Sequence, residues 1–80
     1  MTLVELTEMI VKSLVSDPDS ISVKKFPNDD EIIIEVVVKE EDMGSVIGRE
    51  GKIANSIRTV VQASSYLKDN KRVKINISSF

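Results

Sequence analysis

The chain has no cysteine, histidine or tryptophan, and holds three glycines, two prolines and three aromatic rings in 80 residues. Without cysteine there is no disulfide to staple the fold and no thiol nucleophile. Without histidine as well, the usual transition-metal ligands are missing, and so are the commonest partners of a nucleophile–base pair. No cofactor, no metal and no enzymatic activity are therefore expected. Aromatic scarcity, limited to Phe26, Tyr66 and Phe80, excludes a row of stacking platforms for nucleobases. Long apolar runs are missing too. The longest, Ile32 to Val38, is interrupted by Glu35 and falls far short of the roughly 20 residues a membrane helix needs. The N-terminus alternates apolar and acidic residues with no basic leader, so neither secretion nor membrane insertion is expected. A reducing cytoplasm suits a cysteine-free chain.

What is present fits a globular domain. A composition of 41% hydrophobic and 30% charged residues suits one compact unit, residues 1–80, too short for two independent cores. The net charge of −2 conceals a division: residues 1–42 carry −7 and residues 43–80 carry +5. The basic half holds Arg49, Lys52, Arg58, Lys68, Lys71, Arg72 and Lys74 against only Glu50 and Asp69. Solvated charges account for such a split as readily as an anionic partner does.

The apolar periodicity predicts six elements. Thr2 and Glu5 have capping-box spacing, and Leu3, Leu6, Ile10 and Leu14 form a helical stripe, so a helix is expected over about residues 3–15. Ser16-Asp17-Pro18-Asp19-Ser20 is a turn that proline prevents from remaining helical. Ile21, Val23 and Phe26 suggest an edge strand, and Pro27 to Asp30 a second turn. Ile32, Ile34, Val36 and Val38 share one face of a β-branched run, with Ile33 and Val37 partly filling the other, which predicts a central strand. Glu40, Glu41 and Asp42 precede a short helix, with Asp42 as its cap. Ile53, Ile57, Val60, Val61 and Leu67 predict the longest helix, and Val73, Ile75 and Ile77 alternate with Lys74, Asn76 and Ser78 in a last strand. The order is αββααβ, in the α+β class.

Between the second and third predicted helices runs Val46-Ile47-Gly48-Arg49-Glu50-Gly51-Lys52-Ile53. Glycines three apart allow positive φ and leave the backbone uncovered at a helix start, where partial positive charge gathers. A Walker A loop fails, because Val46 stands where its first glycine belongs and Ile53 where a metal-binding hydroxyl should follow the lysine. A dinucleotide fingerprint also fails at Val46, and it would follow a strand rather than a helix. What remains is helix, Gly-x-x-Gly turn, helix, the unit by which KH domains clamp about four nucleotides of backbone.

The octapeptide resembles the KH signature, and the αββααβ order resembles the type II KH topology. Together they make the chain similar to the small single-KH RNA-binding proteins of bacteria, the KhpA type. That resemblance implies a three-stranded sheet backed by three helices, with single-stranded RNA beside the loop. Gly48, Arg49, Glu50 and Gly51 then meet phosphates, Arg49 as a charge-assisted donor and Lys52 as a second positive charge. Ile47 and Ile53 help to floor the groove, although core packing explains aliphatic residues of this kind better. Asn55, Ser56 and Arg58 reach a base edge or sugar, or merely occupy an exposed face.

Glu50 repels phosphate, and few cations surround the loop, so weak and broadly specific binding by a lone domain is expected. Avidity through a dimer then follows, with Met43, Val46 or Val60 as candidate surface. The resemblance implies a homodimer, a complex with a larger multidomain KH protein of the KhpB type, and a role as post-transcriptional regulator or RNA chaperone affecting cell shape and cell-wall biogenesis. The alternative is a degenerate KH domain acting as a protein–protein scaffold.

Overall fold

A computed structural model describes residues 1–80. The first helix, α1 (Leu3–Lys12), starts where the capping box predicts: Glu5 N–H donates to Thr2 Oγ1 at 3.1 Å and Thr2 N–H to Glu5 Oε1 at 2.9 Å. It stops three residues earlier than its apolar stripe suggests. Ser13 Oγ donates to Met9 O at 2.8 Å, while the N–H groups of Leu14 and Val15 both return to Val11 O. Serine hydroxyls compete in this way for helical carbonyls. The chain then leaves through a 3₁₀ turn at Pro18–Ser20.

Three strands form one sheet in the order β1 (Ser22–Pro27), β2 (Glu31–Val38), β3 (Arg72–Ser79). The β-branched run is the central strand. It pairs antiparallel with β1, Val23 opposite Val36, and parallel with β3, Ile34 opposite Ile75. Parallel pairing demands a crossover, supplied here by α2 (Met43–Ile47) and α3 (Lys52–Lys68). Burial alternates along β2: Ile32, Ile34, Val36 and Val38 are buried, Glu35 is exposed, and Ile33 and Val37 lie between. They join Leu3, Val11, Val46, Ile57, Val61 and Ile75 in a single core between sheet and helices. At about 25 cal/mol per Å² of apolar area removed from water, each fully buried Ile or Val contributes about 1.5–3 kcal/mol. Val46 is fully buried in this core, so it supplies no docking surface; Val60 is 48% exposed.

Asp42 does not cap α2 through its side chain. It is buried, and its Oδ1 accepts from Ser16 N–H at 3.0 Å and Ser16 Oγ at 2.8 Å. These bonds, the backbone one foremost, hold its carboxyl below the usual carboxylate range. They tie the exit of α1 to the entry of the crossover. At the far end, the N–H groups of Asp69 and Asn70 both donate to Ser65 O, and Asn70 takes φ +52°, the left-handed closure common after helices. No helix is long and apolar enough to cross a membrane.

Candidate nucleic-acid interface

The glycines sit where side chains are excluded. Gly48 has φ +76° and ψ 176°, a region open essentially to glycine alone. A Cβ there would lie 2.6 Å from Ile53 Cγ1, so packing forbids alanine as firmly as the dihedral does. Gly51 follows at φ +73°, left-handed, where a Cβ would meet only Asn55 Nδ2, at 4.0 Å. Glu50 between them is also left-handed at φ +57°, a conformation costing a non-glycine residue about 1–2 kcal/mol. Gly48 N–H returns to Gly44 O at 2.9 Å and Gly51 N–H to Gly48 O at 3.2 Å. The resulting sharp turn, a 3₁₀ segment at Arg49–Gly51, presents Arg49 and Glu50 to solvent and feeds directly into α3.

From that turn α3 carries two unlike flanks beside its buried stripe of Ala54, Ile57, Val61 and Ser65. One faces β3. Arg58 donates from Nη1 to Asn55 Oδ1 at 3.2 Å and from Nη2 to Ile75 O at 3.3 Å. Gln62 donates to Lys71 O at 3.0 Å and accepts from Val73 N–H at 2.8 Å. Because β3 is an edge strand, these side chains satisfy part of its unpaired backbone. Arg58 and Gln62 also line a shallow furrow between helix and strand, together with Arg72, Lys74 and the carboxylate of Glu31.

The other flank faces α1. Ile53, Ser56, Ile57 and Val60 line an apolar groove with Leu6, Met9, Ile10 and Leu14. The residues expected to bind RNA therefore divide. Gly48 to Lys52 form the turn, Asn55 and Arg58 lie on the β3 side, Ile47 is half-buried, and Ile53 and Ser56 stand on the α1 side, Ser56 Oγ donating to Lys52 O. Gln62, Arg72 and Lys74 were not anticipated in the furrow. Their signal was Asn55, Arg58 and Gln62 at i, i+3 and i+7, one helical face, opposite the basic alternation of the last strand.

Ion pairing follows the division of charge along the chain, although Glu31 stands opposite Arg72 in the sheet. Every carboxylate–cation pair within 4.0 Å lies in the acidic half: Lys12 with Glu8, and Lys39 with Asp17 and Glu41. Lys39 Nζ stands 2.9 Å from Asp17; the Ser20 hydroxyl, then Lys39, lower the Asp17 pKa, and Asp17 raises that of Lys39. The seven cations of the basic half have no such partner.

A Gly-x-x-Gly turn joining two helices in the crossover between parallel strands, preceded by an extra helix and strand, defines a type II KH domain. Comparison with known proteins narrows the class. The family described as KhpA/KhpB, KH domain, matches residues 4–77, and the chain belongs to that family. RNA-binding protein KhpA of Clostridium perfringens is 48% identical over 73 residues, covering 91% of this chain and 96% of that one. The Thermotoga maritima protein of the same name is 33% identical, again covering 91% of this chain and 95% of its own. Among solved structures, Era in complex with MgGDPNP and nucleotides 1506–1542 of 16S ribosomal RNA superposes with a TM-score of 0.68 at 22% identity, over 96% of this chain and 29% of that chain. A tyrosine-to-alanine variant of Aquifex aeolicus Era bound to GDP·AlF4− gives 0.69 at 21%, over 98% and 30%. At that identity the Era likeness establishes the fold alone.

Proposed function

We propose that this protein binds single-stranded RNA, with the Gly48–Gly51 turn against the phosphates and the strand running along the α3–β3 furrow. One observation carries the reading. The turn whose backbone excludes a side chain at Gly48 opens onto a surface where Arg49, Lys52, Arg58, Arg72 and Lys74 outnumber the carboxylates of Glu50 and Glu31 and form no ion pair within 4.0 Å. Unpaired cations on a mainly anionic protein await an anionic ligand, and phosphate contact is what such a ligand supplies. The RNA-binding name of the relatives supports the same conclusion. The residues proposed to make contact are Ile47, Gly48, Arg49, Glu50, Gly51, Lys52, Ile53, Asn55, Ser56 and Arg58. The two on the α1 side act indirectly: Ile53 by packing under Gly48, Ser56 by bonding to the first turn of α3.

The whole chain acts as one KH unit, as a binding module rather than an enzyme, in the cytoplasm. Its role is that of a post-transcriptional regulator or RNA chaperone in control of cell shape and cell-wall biogenesis. The apolar α1–α3 groove, with Met9 50% and Val60 48% exposed, supports self-association, either with a second copy or with a larger KH protein of the KhpB type. It also favours a second reading, a scaffold with little RNA affinity.

Arg49→Asp with Glu50→Asp separates the two. Aspartate tolerates the left-handed region better than glutamate, so helicity and melting are retained while ultraviolet crosslinking to RNA falls sharply. Unchanged crosslinking selects the scaffold.

A further inference from the structure

We infer that Tyr66 forms a base-stacking subsite at the end of the furrow remote from the glycine turn. The inference rests on the RNA-binding reading and names a contact which that reading lacks. Tyr66 is 54% exposed and lines a shallow depression with Arg58, Thr59, Gln62, Ala63 and Val73. It continues the β3-facing flank of α3 one turn beyond Gln62, opposite to the flank that carries Val60 and Leu67.

The other rings are elsewhere: Phe26 pairs with Ile33 on the outer side of the sheet, and Phe80 sits by Lys39, Glu40 and Glu41. Tyr66 is thus the one aromatic ring on the furrow flank.

The chemistry at that end suits a nucleobase read without sequence preference. Both polar atoms of the Gln62 amide are committed to the backbone of Lys71 and Val73, Arg58 donates to Asn55 Oδ1 and Ile75 O and Thr59 Oγ1 to Asn55 O, which leaves mainly ring, methyl and valine surface as the contact. Such a platform accepts any base through its face. Gln62 also holds the Lys71 backbone beside the depression, and Arg72, next in the chain and on the furrow wall, stands near for the adjoining phosphate, whereas the Lys71 ammonium turns away to Asn28 O. Lys52 and Tyr66 are 14 residues apart on one helix, about 21 Å at 1.5 Å per residue. That length matches roughly six nucleotides at a stacked rise of about 3.4 Å, and fewer when the bases are splayed. The ring therefore lies beyond the reach of the turn itself and within reach of a short oligonucleotide held by it.

With one tyrosine and no tryptophan in the chain, tyrosine emission reports on Tyr66 alone. Octauridylate is titrated into the full chain, with anisotropy of an end-labelled RNA for affinity and intrinsic emission for stacking. The expected result has two parts. Emission is quenched with the same midpoint as the anisotropy change. Tyr66→Ala weakens binding by at least about fivefold with the salt slope unchanged, whereas Tyr66→Phe, which retains the ring, binds as the wild type does.

RNA that binds by anisotropy while tyrosine emission stays constant overturns the subsite and leaves the turn reading intact. Tyr66→Ala binding as tightly as wild type does the same. If the anisotropy itself does not change, the RNA-binding reading and the subsite fall together. The emission measurement needs no variant, so a folding defect in Tyr66→Ala does not obscure the outcome.

Discussion

Arg49→Gln removes one of three unpaired cations nearest the glycine turn, the others being Lys52 and Arg58. Counterion release makes the logarithm of affinity for a single strand fall linearly with the logarithm of salt, with a slope of about −0.7 for each phosphate neutralised. For a strand short enough to meet these three and not Arg72 or Lys74, the slope is about −2.1, and the variant keeps two contacts, about −1.4. Between about 50 and 200 mM salt, the wild type should then lose about 18-fold in affinity and the variant about sevenfold. Arg49 takes part in no ion pair and its side chain is exposed, so melting should shift little. Glu50→Lys is the mirror experiment: it exchanges a repelling carboxylate for a cation, and its slope should steepen to about −2.8. The assay is fluorescence anisotropy with unstructured RNA at four or more salt concentrations. Superposable slopes for wild type, Arg49→Gln and Glu50→Lys would refute the claim that this turn touches phosphate.

Other expectations concern the scaffold. Gly48→Ala forces a Cβ against Ile53 and a dihedral that alanine avoids, so stability drops by at least about 1–3 kcal/mol in urea titrations; an unchanged midpoint contradicts the geometry. Val60→Lys charges the exposed α1–α3 flank without touching the core, and light scattering after size exclusion should show a lower mass with the melting of the protomer domain preserved; unaltered mass removes this flank from any dimer. Asp42, Asp17 and Glu5 all have folded pKa values below their ordinary 3.8, 3.8 and 4.5. Depressed values mean stability that is present above those ordinary values and lost as pH falls through the folded ones. Melting should therefore decline in acid below about pH 4 and stay flat between about 6 and 8, where the chain has no histidine to titrate; a transition near pH 6.5 contradicts this assignment.

Patterns that act locally were the legible ones. Thr2 and Glu5 close their box within one turn, and β-branched residues alternate along β2 because its faces meet different environments. Gly48 and Gly51 marked their turn because few residues other than glycine accept such dihedrals. Contacts between distant segments left no local trace. Ser16, just past the end of α1, donates to Asp42, 26 positions away, and no periodicity announces that bond. Gln62 resembled any polar helix residue until β3 lay alongside with an unpaired edge. Ile53 was placed in the groove by its neighbours in sequence; the 100° step per residue carries it to the α1 side, where it also occupies the space a Cβ on Gly48 would need. Val46 likewise read as available surface, and only its place in the buried cluster with Ile57, Val61 and the β2 side chains shows it to be core.

The most direct test of the central claim is an amide chemical-shift map of the ¹⁵N-labelled chain titrated with a single-stranded octanucleotide of RNA. The largest shifts should fall on Gly48 to Lys52, continue through Asn55, Arg58 and Gln62 to Arg72 and Lys74, and spare Leu6, Met9 and Val60. Shifts concentrated on the α1–α3 groove, or none at all in dilute buffer, would contradict it.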